Sequence, residues 1–149
     1  LLVVFVVCLF ALPAFAQSPD IDTACGLDSQ YDLRDRRETL KLVEPILALP
    51  DLTTAQRVEA LRIKGNAETA VGSNEKAVET LTLALTTAGP EIDPHLKARL
   101  LLSMASAYRG LKQLDKAMAH SLAAEEIIVA LGDEPLLLEC LAGRLYYID

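Results

Sequence analysis

The chain has 149 residues, 52% apolar but only 5% aromatic, and its 14 basic and 21 acidic residues leave a net charge of −7. That length supports one domain with its own core. Without a Lys/Arg excess or aromatic platforms, the chain lacks the usual means of gripping nucleic acid or an anionic membrane surface. Leu and Ala together supply 49 residues, and all three Phe (Phe5, Phe10, Phe15) lie in the first sixteen. An aromatic-poor body rich in the two best helix formers predicts an all-α fold.

Residues 1–16 carry no charge. Their apolar run Leu1–Leu12 has the length of a signal-peptide core and is too short to span a ~30 Å hydrocarbon layer comfortably. Pro13 breaks the helix, and Ala14-Phe15-Ala16 offers the small-x-small pattern of a cleavage site, so removal before Gln17 is expected, with an uncleaved anchor as the alternative. No basic segment or Met precedes the run, so the sequence is expected to start inside this leader. Val7 before Cys8 argues against lipidation, and Cys25 stands too far from the apolar core for that role.

Residues 17–30 form an acidic, turn-rich lead-in, and helical patterning covers 31–149. A first helix is predicted over about Leu33–Leu49, with Leu40, Val43, Ile46 and Leu47 inward and Pro45 kinking it or ending it early. Thr53 or Thr54 caps a second, running to about Val71 with Val58, Leu61, Ala67, Ala70 and Val71 inward. After Gly72-Ser73-Asn74 a third carries Ala77, Val78, Leu81, Ala84 and Leu85. Asp93-Pro94 opens a fourth, to about Arg109, with Leu101, Met104, Ala105 and Tyr108 inward. A fifth spans about Leu114–Leu131, and a last follows Gly132-Asp133-Glu134-Pro135. No stretch alternates like a strand.

The helices pair. Glu75-Lys76-Ala77 returns as Asp115-Lys116-Ala117, forty residues later. Gly65 and Ala105 on the first helix of each pair, and Ala77, Ala84, Ala117 and Ala124 on the second, supply small residues where the helices cross; Leu81 takes the large apolar position and Tyr108 the aromatic one. In these residues the chain resembles the tetratricopeptide repeat (TPR) family over Thr53–Leu131. The resemblance implies a right-handed solenoid of antiparallel helix hairpins. Tyr31–Leu49 would be an N-terminal half-repeat and Leu136–Ile148 the opening helix of a third repeat. The period departs from the family's usual value of about 34 residues. About six residues are added, mostly in the Ala88–Pro94 connection. Glu68 replaces the first aromatic, and Ser121 replaces the second large residue. The last helix, rich in leucine and without a polar outer face, suggests an array truncated at its C-terminus.

Catalytic patterns are absent from the sequence. His95 and His120 are 25 residues apart and read as surface residues, with no metal-ligand spacing. Asp20-Ile21-Asp22 begins like a calcium loop, but Ala24 and Cys25 stand where an oxygen ligand and Gly are needed. Glu125 and Glu126 occupy adjacent helical positions and point to different sides. No nucleotide loop, serine elbow or Cys–His pair appears, so neither enzyme activity nor a cofactor or metal is expected. Cys25 and Cys140 lie at opposite ends of the expected stack, beyond the ~7 Å bridging limit. No internal disulfide is expected, and Cys25 is a candidate for an intermolecular one.

The resemblance also implies a concave groove lined by the first helix of each pair, taking a peptide or a helix. Its residues here are Glu59, Arg62, Asn66 and Thr69, then Arg99, Leu102, Ser106 and Arg109. Arg62 with Asn66 resembles half of a carboxylate clamp, whose second half is weakened by Ser103 and Gly143; a solvated mixed-charge face is the plainer alternative. The expected function is an exported, periplasmic, non-catalytic module binding a protein or peptide, without nucleic acid or membrane insertion of the mature part. The alternatives are the sensor region of a longer membrane signalling enzyme, such as a diguanylate cyclase or sensor histidine kinase with a downstream membrane anchor, and a scaffold for envelope assembly or secretion.

Overall fold

In the computed structural model, which describes the backbone of residues 33–147 and the side chains of residues 36–146, the chain is all-α. Six helices follow in order: α1 (Leu33–Leu47), α2 (Thr54–Ala70), α3 (Asn74–Ala88), α4 (Pro94–Gly110), α5 (Leu114–Leu131) and α6 (Glu134–Arg144), with a 3-10 turn over Leu145–Tyr147. The expected leader, the acidic lead-in with Cys25, and the last two residues lie outside the described residues. Each helix packs on the next, most extensively α2 on α3 and α4 on α5, and α2 also touches α4.

Three helices start on the same chemistry. Thr53 accepts a hydrogen bond from the Gln56 N–H (3.2 Å), and the Gln56 side chain returns one to the Thr53 N–H (3.0 Å). Asp93 accepts from the Leu96 N–H (2.8 Å) and Asp133 from the Leu136 N–H (3.0 Å). These N-caps of α2, α4 and α6 are spaced forty residues apart, and each is worth about 1 kcal/mol. The ends of α2 and α4 also correspond. Ser73 N–H donates to Glu68 C=O (2.8 Å) and Gly72 N–H to Thr69 C=O (3.0 Å); Gln113 N–H donates to Tyr108 C=O (2.9 Å) and Lys112 N–H to Arg109 C=O (2.8 Å). Both are Schellman turns, which need a positive φ at the residue after the helix. Gly72 meets that need freely (φ 84°), while Lys112 adopts it (φ 59°) despite its Cβ. The turn therefore overrides the residue's own preference at the second site.

The core is a succession of three clusters. Val43 and Ile46 of α1 meet Ala60 and Ile63 of α2. Val58 and Leu61 meet Ala77, Leu81 and Ala84 of α3 and Leu100, Met104 and Ala107 of α4. Ala98 and Leu101 of α4 meet Ala124 and Ile128 of α5 and Leu136 and Cys140 of α6. The paired helices approach closely: a Cβ added to Gly65 would lie 2.5 Å from Leu81 Cγ. Forty residues later the corresponding positions hold Ala105 and Ser121, both buried, so one side chain grows as the other shrinks. Ala77, Ala84, Ala117 and Ala124 are all fully buried, as their place at the crossings requires.

α1, expected to reach about Leu49 unless Pro45 ended it early, stops at Leu47 with Pro45 in its last turn. Its exposed end is held by α2, where Arg57 donates to the Leu47 and Leu49 carbonyls (3.0 and 3.3 Å). Two other expectations need correction. In α2, Ala70 is exposed and Val71 only half-buried, whereas Ala60 and Ile63 are buried. The helix lies between α1 and α3, so it buries two flanks rather than one stripe. His120 is half-buried rather than a surface residue, because its ring stacks on Tyr108 (centroids 5.3 Å apart, planes 5° apart).

Enlarging a crossing residue should therefore be costly. Ala117→Leu and Gly65→Ala are each expected to lower unfolding stability by about 1–3 kcal/mol in urea titrations. Unchanged midpoints in both variants would show that the helices do not need this close approach.

Candidate functional site

A face shared by alternate helices carries the candidate residues. Glu59, Arg62, Asn66 and Thr69 follow one another at about one-turn intervals on α2, and Arg99, Leu102, Ser106 and Arg109 do so on α4. Because α2 packs against α4 directly, the two rows become neighbours. Sequence periodicity places each row on its helix, and the contact between non-consecutive helices brings the rows together.

Glu59 organises one end of this face. Arg62, only 4% exposed, grips it with two parallel hydrogen bonds, Nε to Oε2 (2.9 Å) and Nη2 to Oε1 (2.8 Å). Arg99 reaches across from α4, its Nη1 lying 3.4 Å from Glu59 Oε1. The fork of Arg62 thus holds a carboxylate of its own helix, and Arg62 serves here as an internal tie. Thr69 Oγ donates to the Gly65 carbonyl (3.0 Å), and Ser103, buried, donates likewise to Arg99 (3.0 Å). Leu102 is half-buried against the α4–α6 cluster, and Asn66 is half-buried.

The other end is built differently. Arg109 Nη2 donates to Ser106 Oγ (3.4 Å), and its guanidinium lies over the ring of Tyr146, 5.2 Å from the centroid. Tyr146 is 71% exposed and belongs to the 3-10 turn after α6. It is the residue that reading along the chain missed. The signal was present, since Tyr146 stands forty positions after Ser106, but it sits in a segment whose leucine content dominates the pattern.

Other titratable groups serve packing. His95 Nε2 lies 2.8 Å from Asp133 Oδ2, linking the start of α4 to the cap of α6. Asp133 is held below the usual carboxylate range, chiefly by the Leu136 N–H and further by His95. Glu125 binds Arg144 at 2.5 Å, while Glu126 is exposed. That carboxylate keeps the guanidinium more firmly protonated than usual. Cys140 is a buried free thiol near Ser121 (Sγ to Oγ 3.5 Å). Lys116 Nζ sits 5.2 Å from the centroid of the Tyr108 ring that stacks on His120. Among the described residues, no group of three or more His, Cys, Asp or Glu could hold a metal ion, and no helix is long and apolar enough to cross a membrane. Comparison with protein-family models, with curated proteins and with solved structures gives no match.

Two measurements probe this wiring. Glu59→Gln removes the carboxylate that the buried Arg62 fork grips and should cost about 3 kcal/mol, read from urea unfolding; a neutral result would mean that this pair contributes little to the fold. Burial lowers the His120 pKa below the ordinary imidazole value, so the fold favours the neutral ring. Its contribution is complete above about pH 6.5 and is lost as pH falls through the lowered value. The wild type should therefore lose more thermal stability than His120→Asn between about pH 7 and 5. Parallel melting curves would remove His120 as the cause.

Proposed function

We propose that the chain is a TPR-like solenoid of helix hairpins acting as an exported, periplasmic protein-interaction module without chemistry of its own. Support for the architecture comes from the forty-residue recurrence of caps, Schellman turns and small crossing residues, together with the contact of α2 with α4. A stack of such units buries a continuous core while leaving one row of alternate helices lining a common surface. The export reading rests on the apolar leader and its small-x-small end.

The observation that carries the binding function is the joined face. Glu59–Arg99 ties α2 to α4, and Arg109–Tyr146 ties α4 to the segment after α6. Arg99, Leu102, Ser106, Arg109, Asn66 and Thr69 offer mixed polar and apolar contacts along a surface whose backbone is set by helices, which suits an extended peptide or a docked helix. Rigid side-chain rows reduce the ordering cost that a partner's contacts must offset.

The test uses peptides selected by display on the intact chain. Their binding should weaken at least about tenfold, equivalent to ~1.4 kcal/mol, in Leu102→Asp and Ser106→Arg. Thr82→Arg and Thr86→Arg, at exposed positions of α3, should leave it unchanged. Selected peptides that respond only to the α3 substitutions, or selection of none, would reject the joined face as the binding surface.

A further inference from the structure

The charges on the joined face are not equally satisfied. Glu59 answers both Arg62 and Arg99, Glu125 answers Arg144, and Arg57 is spent on the two carbonyls that end α1. Among the described residues of α2–α6, Arg109 is the arginine with neither a carboxylate nor a carbonyl partner. Its neighbours are the Ser106 hydroxyl and the Tyr146 ring. A guanidinium has five N–H donors in a planar fork, and one weak bond to Ser106 leaves most of them unspent. The aromatic face steadies the plane of the cation without neutralising it. Thr69, the counterpart of Arg109 on α2, has turned its hydroxyl to the Gly65 carbonyl and adds no charge beside it.

Resting on the peptide-binding reading above, we propose that Arg109, braced by Tyr146, is the recognition point for an acidic side chain of an extended peptide lying along α2 and α4. Charge complementarity decides the ligand class. Among the described residues the unanswered charge on this face is positive, and a carboxylate is the planar acceptor that a guanidinium fork binds with two parallel bonds. The chain's overall charge of −7 does not oppose this at contact, because exposed charges beyond ~8 Å are screened at physiological ionic strength. Leu102, half-buried two turns before Arg109 on the same row, gives a neighbouring residue of the peptide an apolar seat. A peptide with an acidic residue followed or preceded at a short interval by an apolar one matches both features.

The intact chain would be titrated against dye-labelled, C-terminally amidated nine-residue peptide pools, random except for a central Glu, Gln or Lys, with binding read by fluorescence polarisation. The Glu pool should bind about tenfold more tightly than the Gln pool, and the Lys pool least. Arg109→Gln should bring the Glu and Gln pools together without changing the helical circular dichroism, Arg109→Lys should retain part of the preference, and Tyr146→Leu should reduce it. Equal binding of the Glu and Gln pools to the wild type, or a preference that survives Arg109→Gln, would overturn the acidic recognition point while leaving the groove itself standing. A Gln pool with a free C-terminus that binds as tightly as the Glu pool would also overturn it, by assigning the site to a chain end. Failure of every pool to bind would reject the peptide groove together with it.

Discussion

The close crossing of paired helices is the constraint on which the other features depend. Gly65 lets the Leu81 side chain lie where a Cβ would otherwise stand, so α2 and α3 meet backbone to side chain. The second pair reaches a similar result with Ala105 and Ser121, trading volume from one helix to the other. Tight pairing needs few large rings, which explains how a chain with four Tyr and no Trp still builds a core. Dispersion contacts accumulate from many small surfaces at short range rather than from a few bulky anchors.

Close crossing also restricts where helices begin and end. A helix shifted by one residue would rotate its small positions away from the crossing by about 100°. The caps at Thr53, Asp93 and Asp133 hold the starting points, and the turns at Gly72 and Lys112 hold the ends. The second helices have more latitude. α3 closes at Ala88 and α5 runs on to Leu131, with the following connections adjusting to keep the next cap at forty residues. Lys112 shows how strongly the register is imposed, because a Cβ-bearing residue is held in a conformation that glycine takes at the equivalent turn.

The electrostatic wiring follows from the same packing. Bringing α2 against α4 puts Arg99 within reach of the carboxylate that Arg62 already grips on its own helix, and Glu59 becomes a tie between helices rather than a free acid. At the other end of the face no carboxylate among the described residues meets Arg109, and an exposed tyrosine stacks there instead. Glu68 marks a further asymmetry. It occupies the place where the second unit has Tyr108, and its Oε2 is buried without a hydrogen-bond partner. Such a group is costly to bury. The first unit therefore carries a local penalty that the second, with Tyr108 stacked on His120, does not.

Much was legible along the chain: the helical class, the cap at Asp93, the turns at Gly72 and Gly110–Gln113, and the small residues that prove buried. These depend on contacts within a few residues or on a repeated pattern, and local physics carries them. The candidate rows on α2 and α4 were legible as rows, since helical spacing alone aligns Arg99, Leu102, Ser106 and Arg109. What their side chains bind was not. Periodicity marks a helix face, but it does not say that α2 is covered on two sides, that Arg62 is buried against Glu59, or that Tyr146 returns to Arg109. The contacts of Glu59 with Arg99 and of Arg109 with Tyr146 join residues 40 and 37 positions apart, between elements that are not consecutive. The sequence by itself determined which helices form and where they are small enough to cross; the tertiary structure decided which charges meet across helices and which do not, because that pairing depends on distances between helices that no local pattern encodes.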